Sequence, residues 1–449
     1  MNAPPRRGSC PSLSQPMPTG DGLLARITPT GATISCAAFA ALCAAAHSCG
    51  NGIIEVTSRG SIQIRGLTEA SSRQLATAVG ETGGPFCEGP AVLSNALSGL
   101  DPDEALDTSA IAAELRRALA AAVFSADIAP KISIALDGRG VLHLDAVAAD
   151  VGMRAEAGGT CLHVAVAGDA ESATPLGAIR TEHAVEAAVA IVRVIAAAGP
   201  TARAGDILAA NGAAAFRGAI ADRLVDLPRP PRRRPAEPIS THALRDGNVA
   251  IGLGLACGHA DATALGELVR AAAASGAAGI RTAPAHALLI VGLPSHGAAP
   301  LADIAQRLGF VVRASDPRRL VVACAGAPIC AAAEIATRTL AQTLAVDMAS
   351  LGAGAPMLHL SGCAKGCACP RATPLTLVGV HGRCGVVVNG SARDAPVAML
   401  PPEALPSALS RLAERVRRMR AANESTAQVL SRLGRDEIAQ LMLGETSDG

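Results

Sequence analysis

The 449-residue chain has no Trp, no Tyr and only five Phe. Base stacking on aromatic platforms, the usual grip on single-stranded nucleic acid, is therefore nearly excluded. A formal net charge of +1 removes a second route, because no global field draws the protein to nucleic acid or anionic lipid. Long apolar runs are also lacking. Half the residues are hydrophobic, yet the excess is mostly Ala, Val and Leu, and no stretch offers the roughly twenty strongly apolar residues of a membrane span. The opening MNAPPRRGSCPSLSQ has basic residues with no apolar core behind them, which is not a secretory pattern, so a cytoplasmic location is expected. Lysine is almost missing too: of 39 basic residues only Lys131 and Lys365 are lysines. The remaining arginines suit forked recognition of carboxylates, which leaves an acidic substrate open.

Cysteine, by contrast, is plentiful. Thirteen cysteines, an odd number scattered through a large chain, argue against a disulfide framework and for reduced thiols, some of them ligands. Cys36, Cys43 and Cys49 fall in an alanine-rich helix and its end and read as small buried hydrophobes. Two pairs stand apart. Cys324-x5-Cys330 and Cys363-x3-Cys367 lie in VVACAGAPIC and LSGCAKGCACP, each a glycine-bearing loop directly after an apolar, strand-like run. Four thiolates converging from two loops make a site for a soft metal centre, with an iron–sulfur cluster the first candidate. A structural zinc fits less well, since zinc ribbons favour closer-spaced knuckles. Lys365 sits inside the second loop, and a cation beside a cluster suggests redox chemistry on something negatively charged.

Residues 224–240, LVDLPRPPRRRPAEPIS, break the chain most clearly and read as a Pro/Arg-rich linker, with Arg232–Arg234 a solvated run. The halves on either side share a pattern. The first reads GLLARI, a helix over 35–48, GIIEVTS and SIQIRGL; the second reads NVAIGLGL, the helix DATALGELVRAAAASGA, GIRTAP and HALLIVGL. Strand–helix–strand–strand thus recurs at a spacing of about 226 residues, an internal duplication. Each unit leads into a larger α/β segment. In the first, PKISIALDG, VLHLDAVAAD and TCLHVAVAGD alternate like strands before a helix over 182–198. In the second come a helix over 331–349 and the strands MLHLSG, TPLTLVGV and CGVVVNG, with helices over 402–422 and 425–443 closing the chain.

VTSRGSIQIRGL, residues 56–67, places Thr57, Arg59, Gln63 and Arg65 at alternate positions around a turn at Gly60, so they share one face of a hairpin. Such a face requires a polar ligand or solvent. This T-x-R-x-x-x-Q element, the duplicated half-domain and the C-x5-C…C-x3-C spacing together resemble the sulfite/nitrite reductase superfamily. Within it, RRGSCPSLSQPMPTGDGLLARI, GNGIIEVTSRGSIQIRGL, SDPRRLVVACAGAPIC and LHLSGCAKGCACP resemble the precorrin-3B synthase family, from residue 6 to about 440.

The resemblance implies an α+β class with the duplicated sulfite/nitrite reductase-like fold. Two ferredoxin-like β-α-β-β half-domains (1–80 and 241–312) and two larger α/β core domains (81–223 and 313–449) would be related by a pseudo-twofold, with 224–240 the linker. A monomer is expected, because the duplication already supplies that twofold. The resemblance also implies a 4Fe–4S cluster on Cys324, Cys330, Cys363 and Cys367; Cys369 is the nearest rival ligand. In the reductases sirohaem lies across the face where the halves meet, and by position Arg26, Thr57, Arg59, Gln63 and Lys131 match its lining. In this branch the macrocycle there would be the substrate precorrin-3A, a metal-free polycarboxylate, with Arg65 and Lys365 completing the basic set.

The implied activity is an oxygen-dependent monooxygenation of aerobic cobalamin biosynthesis: O2 and a reductant hydroxylate C20 of precorrin-3A and a ring-A acetate closes a γ-lactone, giving precorrin-3B. A mononuclear non-haem iron also goes with the family, for which His47, His143, His163, His259, His286, His359 and His381 are candidates. NADH is the expected ultimate donor, but no G-x-G-x-x-G follows a strand in a βαβ context, which implies a separate electron-transfer partner. The chain departs from its relatives at several points. Ser133 stands where the reductases carry a second lysine, and LSNALSGLDP (93–102) lacks their arginine, which disfavours the alternative of sirohaem-dependent sulfite or nitrite reduction. Pro284, Ala285 and His286 replace the P-W-R element of the second half, leaving His286 as a pH-sensitive substitute or a space-filler. This last change keeps a further alternative open, a non-catalytic iron–sulfur or tetrapyrrole-binding redox protein.

Overall fold

A computed structural model describes residues 11–121, 128–351, 357–369 and 371–444. They divide into two compact units, one of residues 1–17 and 23–312 and the other of 18–22 and 313–449. No helix among the described residues is long and apolar enough to cross a membrane.

The first unit holds both repeated β-α-β-β elements. Gly22–Pro29, Ile62–Leu67 and Ile53–Val56 form one antiparallel sheet, to which His259–Asp261 adds a strand from the second repeat. Thr241–Ala243, Val249–Gly254, Ala287–Leu293 and Gly279–Ala283 form the other. The repeats exchange edges reciprocally: Ala260 pairs with Ile54, and Ile34 pairs with Ile280. Positions 34 and 260, and 54 and 280, are each 226 apart, so the duplication seen in the sequence is a pseudo-twofold in space. Helices Cys36–Cys49 and Ala262–Ala274 pack together across it. Phe39 and Leu42 are fully buried in this shared core, and removing such side chains from water stabilises by about 1.5–3 kcal/mol each. Ser35 caps the first helix by accepting from the Ala38 N–H, and Asp261 caps the second by accepting from Thr263 and Ala264.

The two larger sheets repeat one topology. In the first unit Ala91–Ser94, Ser133–Asp137 and Ala149–Ala155 run parallel, followed by antiparallel Cys161–Gly168, Thr174–Arg180 and Leu224–Val225. In the second unit Val321–Ala323, Leu358–Ser361 and Thr373–Val380 run parallel, followed by antiparallel Arg383–Gly390 and Ala398–Leu400. In both, the loops leaving the first two parallel strands emerge at the same sheet end.

Three local expectations change. VLHLDAVAAD alternates, but 141–148 is a loop: Leu142 and Leu144 turn inward while His143 and Asp145 face polar partners. The helix after Cys330 starts at Thr337, because the backbone before it closes the cysteine loop. The linker is not freely solvated, because Arg233 is held in an ion cluster with Asp137 and Asp145. The Arg234 carbonyl accepts from His143 at 2.7 Å, and the Pro231 carbonyl accepts from Arg154 at 2.7 Å. The side chains of Arg232, 86% exposed, and Arg234 remain in solvent.

Candidate functional site

In the second unit the four cysteines sit at the ends of adjacent parallel strands. Cys324 directly follows Val321–Ala323, and Cys363 follows Leu358–Ser361 by one glycine. The Cys324 N–H donates to Leu360 at 3.1 Å, which joins the first loop to the second strand. The loop then turns back on itself, the Cys330 N–H donating to Gly326 at 2.7 Å and the Ala333 N–H to Cys330 at 2.9 Å. Gly326 is required here: its φ is +69°, and a Cβ would stand 2.2 Å from Thr337 Oγ1. Thr337 caps the Cys324 carbonyl at 2.7 Å and Ser361 the Cys363 carbonyl at 2.7 Å. Gly20 packs against the same loop, so closely that a Cβ would lie 2.5 Å from the Ala331 nitrogen.

The sulfurs interact. The Gly362 N–H donates to Cys324 Sγ at 3.1 Å, a contact that favours a thiolate. Burial pushes the Cys367 thiol up; the sulfurs of Cys363, Cys324 and Cys330 push it further, and Lys365 pulls it down. A bound cationic centre would relieve that burden on Cys367. Four cysteine sulfurs suit a cubane that carries each thiolate on a separate iron, so the residues fit a 4Fe–4S cluster. Cys369, the rival ligand, is buried, and its sulfur is 3.7 Å from the Arg371 carbonyl. Lys365 is exposed within the Cys363–Cys367 loop.

The expected basic face lies in the first unit. Strand register sets Arg26 opposite Gln63 and Gln63 opposite Glu55. The Gln63 amide oxygen accepts from Arg26 Nε at 3.1 Å and Nη2 at 2.8 Å, while its nitrogen donates to Glu55 Oε2 at 2.9 Å. Glu55 also pairs at 3.8 Å with Arg65, which is buried. Reasoning from the sequence missed Glu55, although its position two residues before Thr57 placed it on the same side of the strand. Thr57 stabilises the turn, its hydroxyl accepting from the Ser61 N–H at 3.0 Å. Arg59, at the turn, donates to the Ala148 carbonyl at 2.8 Å. Lys131 is exposed just before Ser133–Asp137. Arg26, Gln63 and Arg65 are thus one network, while Arg59 and Lys131 reach out from separate loops.

Other candidates are committed elsewhere. Ser133 holds the buried Asp150 through its N–H at 2.9 Å and hydroxyl at 3.2 Å, and Arg203 forks onto the same carboxylate at 2.8 Å. Asn95 donates to Asp137 (3.2 Å) and to the carbonyls of Arg139 (2.8 Å) and Leu142 (3.1 Å), and accepts from Gly138 (2.7 Å). Among the described residues, Asp137, His143 and Asp145 alone bring three ligand atoms within 4.8 Å. Arg233 occupies both carboxylates, so the trio does not fit a mononuclear iron. His359, on the strand before Cys363, is fully buried, and burial pushes its pKa down to about 4. Burial lowers the His286 pKa, outweighing its bond to Val56 and the charge of Glu55.

Residues 15–81 match the model of the nitrite/sulfite reductase ferredoxin-like half domain. The structure of the Mycobacterium tuberculosis NirA protein superposes with a TM-score of 0.77 at 21% identity, covering 93% of this chain and 84% of that one. Over 436 residues the sequence is 38% identical to a precorrin-3B synthase from Sinorhizobium sp, spanning 97% of this chain and 94% of that one. The chain therefore belongs to the precorrin-3B synthase family.

Proposed function

We propose that the chain is an oxygen-dependent monooxygenase that converts precorrin-3A to precorrin-3B in the cytoplasm. The observation that carries this reading is the convergence of Cys324, Cys330, Cys363 and Cys367 from two adjacent loops, with Lys365 between the last two, in a chain of this family. Held by these thiolates, a 4Fe–4S cluster would supply electrons singly. Hydroxylation at C20 consumes one O2, two electrons and two protons; one oxygen atom enters the product and the other leaves as water. NADH, through a separate electron-transfer protein, is the proposed source of the electrons.

The chain's own residues bind and orient the substrate. Arg26 donates to a neutral amide, so Gln63 aims its charge without neutralising it. Glu55 balances Arg65, which makes Arg65 the brace of that face and leaves Arg26, Arg59 and Lys131 as its contacts for substrate carboxylates. Ser133 and Asn95 are locked into the first core by hydrogen bonds, which argues against the dense positive pocket that reduction of a small anion requires. The test is anaerobic purification followed by turnover with precorrin-3A, O2 and reductant. The expected product is the 20-hydroxylated γ-lactone. Oxygen consumption without that lactone overturns the reading, and a bound sirohaem spectrum replaces it with the reductase.

A further inference from the structure

His286 lies beside the hairpin that carries Thr57 and Arg59. Its Nδ1 is 2.6 Å from the Val56 carbonyl, which can only accept, so Nδ1 carries the proton. The neighbouring Ala285 N–H donates to the Ser58 carbonyl at 3.1 Å. The turn is thus held from the second repeat at two points on either side of Thr57. It also sits close against that repeat: a Cβ on Gly60 would lie 3.3 Å from Thr282 Oγ1. Ala285 and His286 both adopt left-handed backbone, with φ of +61° and +62°. Two consecutive non-glycine residues there are strained, and such conformations persist only where surrounding contacts over-determine them.

We propose that His286 is a positioning residue: through its Nδ1–H bond to Val56 it fixes the Thr57–Ser61 turn and thereby aims Arg59 at the substrate. The inference rests on the tetrapyrrole reading only for the identity of the ligand. Inside the turn, the Thr57 N–H donates to Ser61 at 2.8 Å and the Gly60 N–H to Thr57 at 3.0 Å. Those amides report whether the turn is held, independently of any chemistry. The ring acts as a neutral donor, so a side chain of another type can replace it if it donates from the same place. Asparagine does so from Nδ2 and tolerates the left-handed backbone; glycine accepts that backbone with no donor at all.

The test compares His286→Gly with His286→Asn in the full chain. Hydrogen exchange is followed at Thr57 and Gly60, and steady-state kinetics with precorrin-3A are measured alongside. His286→Gly relieves the strain but is expected to speed exchange at the turn roughly five- to tenfold and to raise KM with kcat nearly unchanged. His286→Asn is expected to restore both. Unchanged exchange in the glycine variant, or an asparagine variant as loose as the glycine one, overturns the proposal. Failure of the unsubstituted protein to turn over precorrin-3A sinks the functional reading instead, while the exchange measurement still decides the role of His286.

Discussion

Replacing Arg233 with Met removes the cation at the centre of a buried cluster while keeping much of the side-chain volume. Arg233 is 12% exposed, and the carboxylates it joins, Asp137 and Asp145, are 5% and 16% exposed. Breaking a buried ion pair from one side costs about 3–5 kcal/mol, because the other charge is left uncompensated. The lower part of that range applies. Asp137 keeps its bonds from Asn95 and the Arg139 N–H, and Asp145 keeps Arg154 at 3.7 Å. Arg232→Met is the control, since its pair with Glu171 is exposed on both sides and surface pairs are worth about 0–1 kcal/mol. Urea unfolding followed by circular dichroism, with limited proteolysis of residues 224–240, reads both variants. Arg233→Met is expected to lose about 3 kcal/mol and become cleavable in the linker; Arg232→Met is expected to do neither. Equal, small losses in the two variants would mean that the linker is solvated after all and that the clamp contributes nothing. Burial raises the Asp145 pKa, but Arg233 outweighs it and holds the carboxyl below the usual range. The clamp's stabilisation is therefore present above the unfolded carboxylate pKa and lost as pH falls through the folded one, a dependence that Arg233→Met should flatten.

Gly326→Ala forces a Cβ to within 2.2 Å of Thr337 Oγ1 at a φ of +69°, and iron content on purification should fall well below that of the unsubstituted protein. Gly20→Ala strikes the same loop from outside and should lower iron content as well, since the obstructing atoms are backbone. Lys365→Asn should weaken tetrapyrrole binding up to about fivefold with iron content unchanged, because an exposed ion pair is worth at most about 1 kcal/mol. His359 is buried with a pKa of about 4 against an ordinary 6.5, so the unfolded chain binds the extra proton between these values. Stability should fall by about 3 kcal/mol as pH drops from 6.5 to 4, and His359→Leu should remove that slope in chemical denaturation.

The parts of the fold legible in the sequence were those written in local spacing. The cysteine pairs announced their loops because each follows a short apolar strand, and the pseudo-twofold showed as a recurring strand–helix–strand–strand order. What was missed was non-local. VLHLDAVAAD reads as a strand because Leu142 and Leu144 alternate inward, but the loop satisfies its polar groups through Arg233 and Arg234, some ninety residues on. Ala331–Ala333 have high helix propensity, yet the Ala333 and Glu334 N–H groups close the cysteine loops onto Cys330 and Gly362. Glu55 gave no signal of its own in the sequence; the register sets it beside Gln63 and against Arg65. His286 looked like a lost arginine, and only the 2.6 Å contact with Val56 gives it work to do.

The central claim is that Cys324, Cys330, Cys363 and Cys367 hold one cubane. Iron and acid-labile sulfide counting on anaerobically purified Cys363→Ser, beside the unsubstituted protein and Cys369→Ser, tests it most directly. The unsubstituted protein and Cys369→Ser should each carry roughly four irons and four sulfides per chain, and Cys363→Ser should carry almost none. An intact cluster in Cys363→Ser, or its loss in Cys369→Ser, would contradict the ligand set.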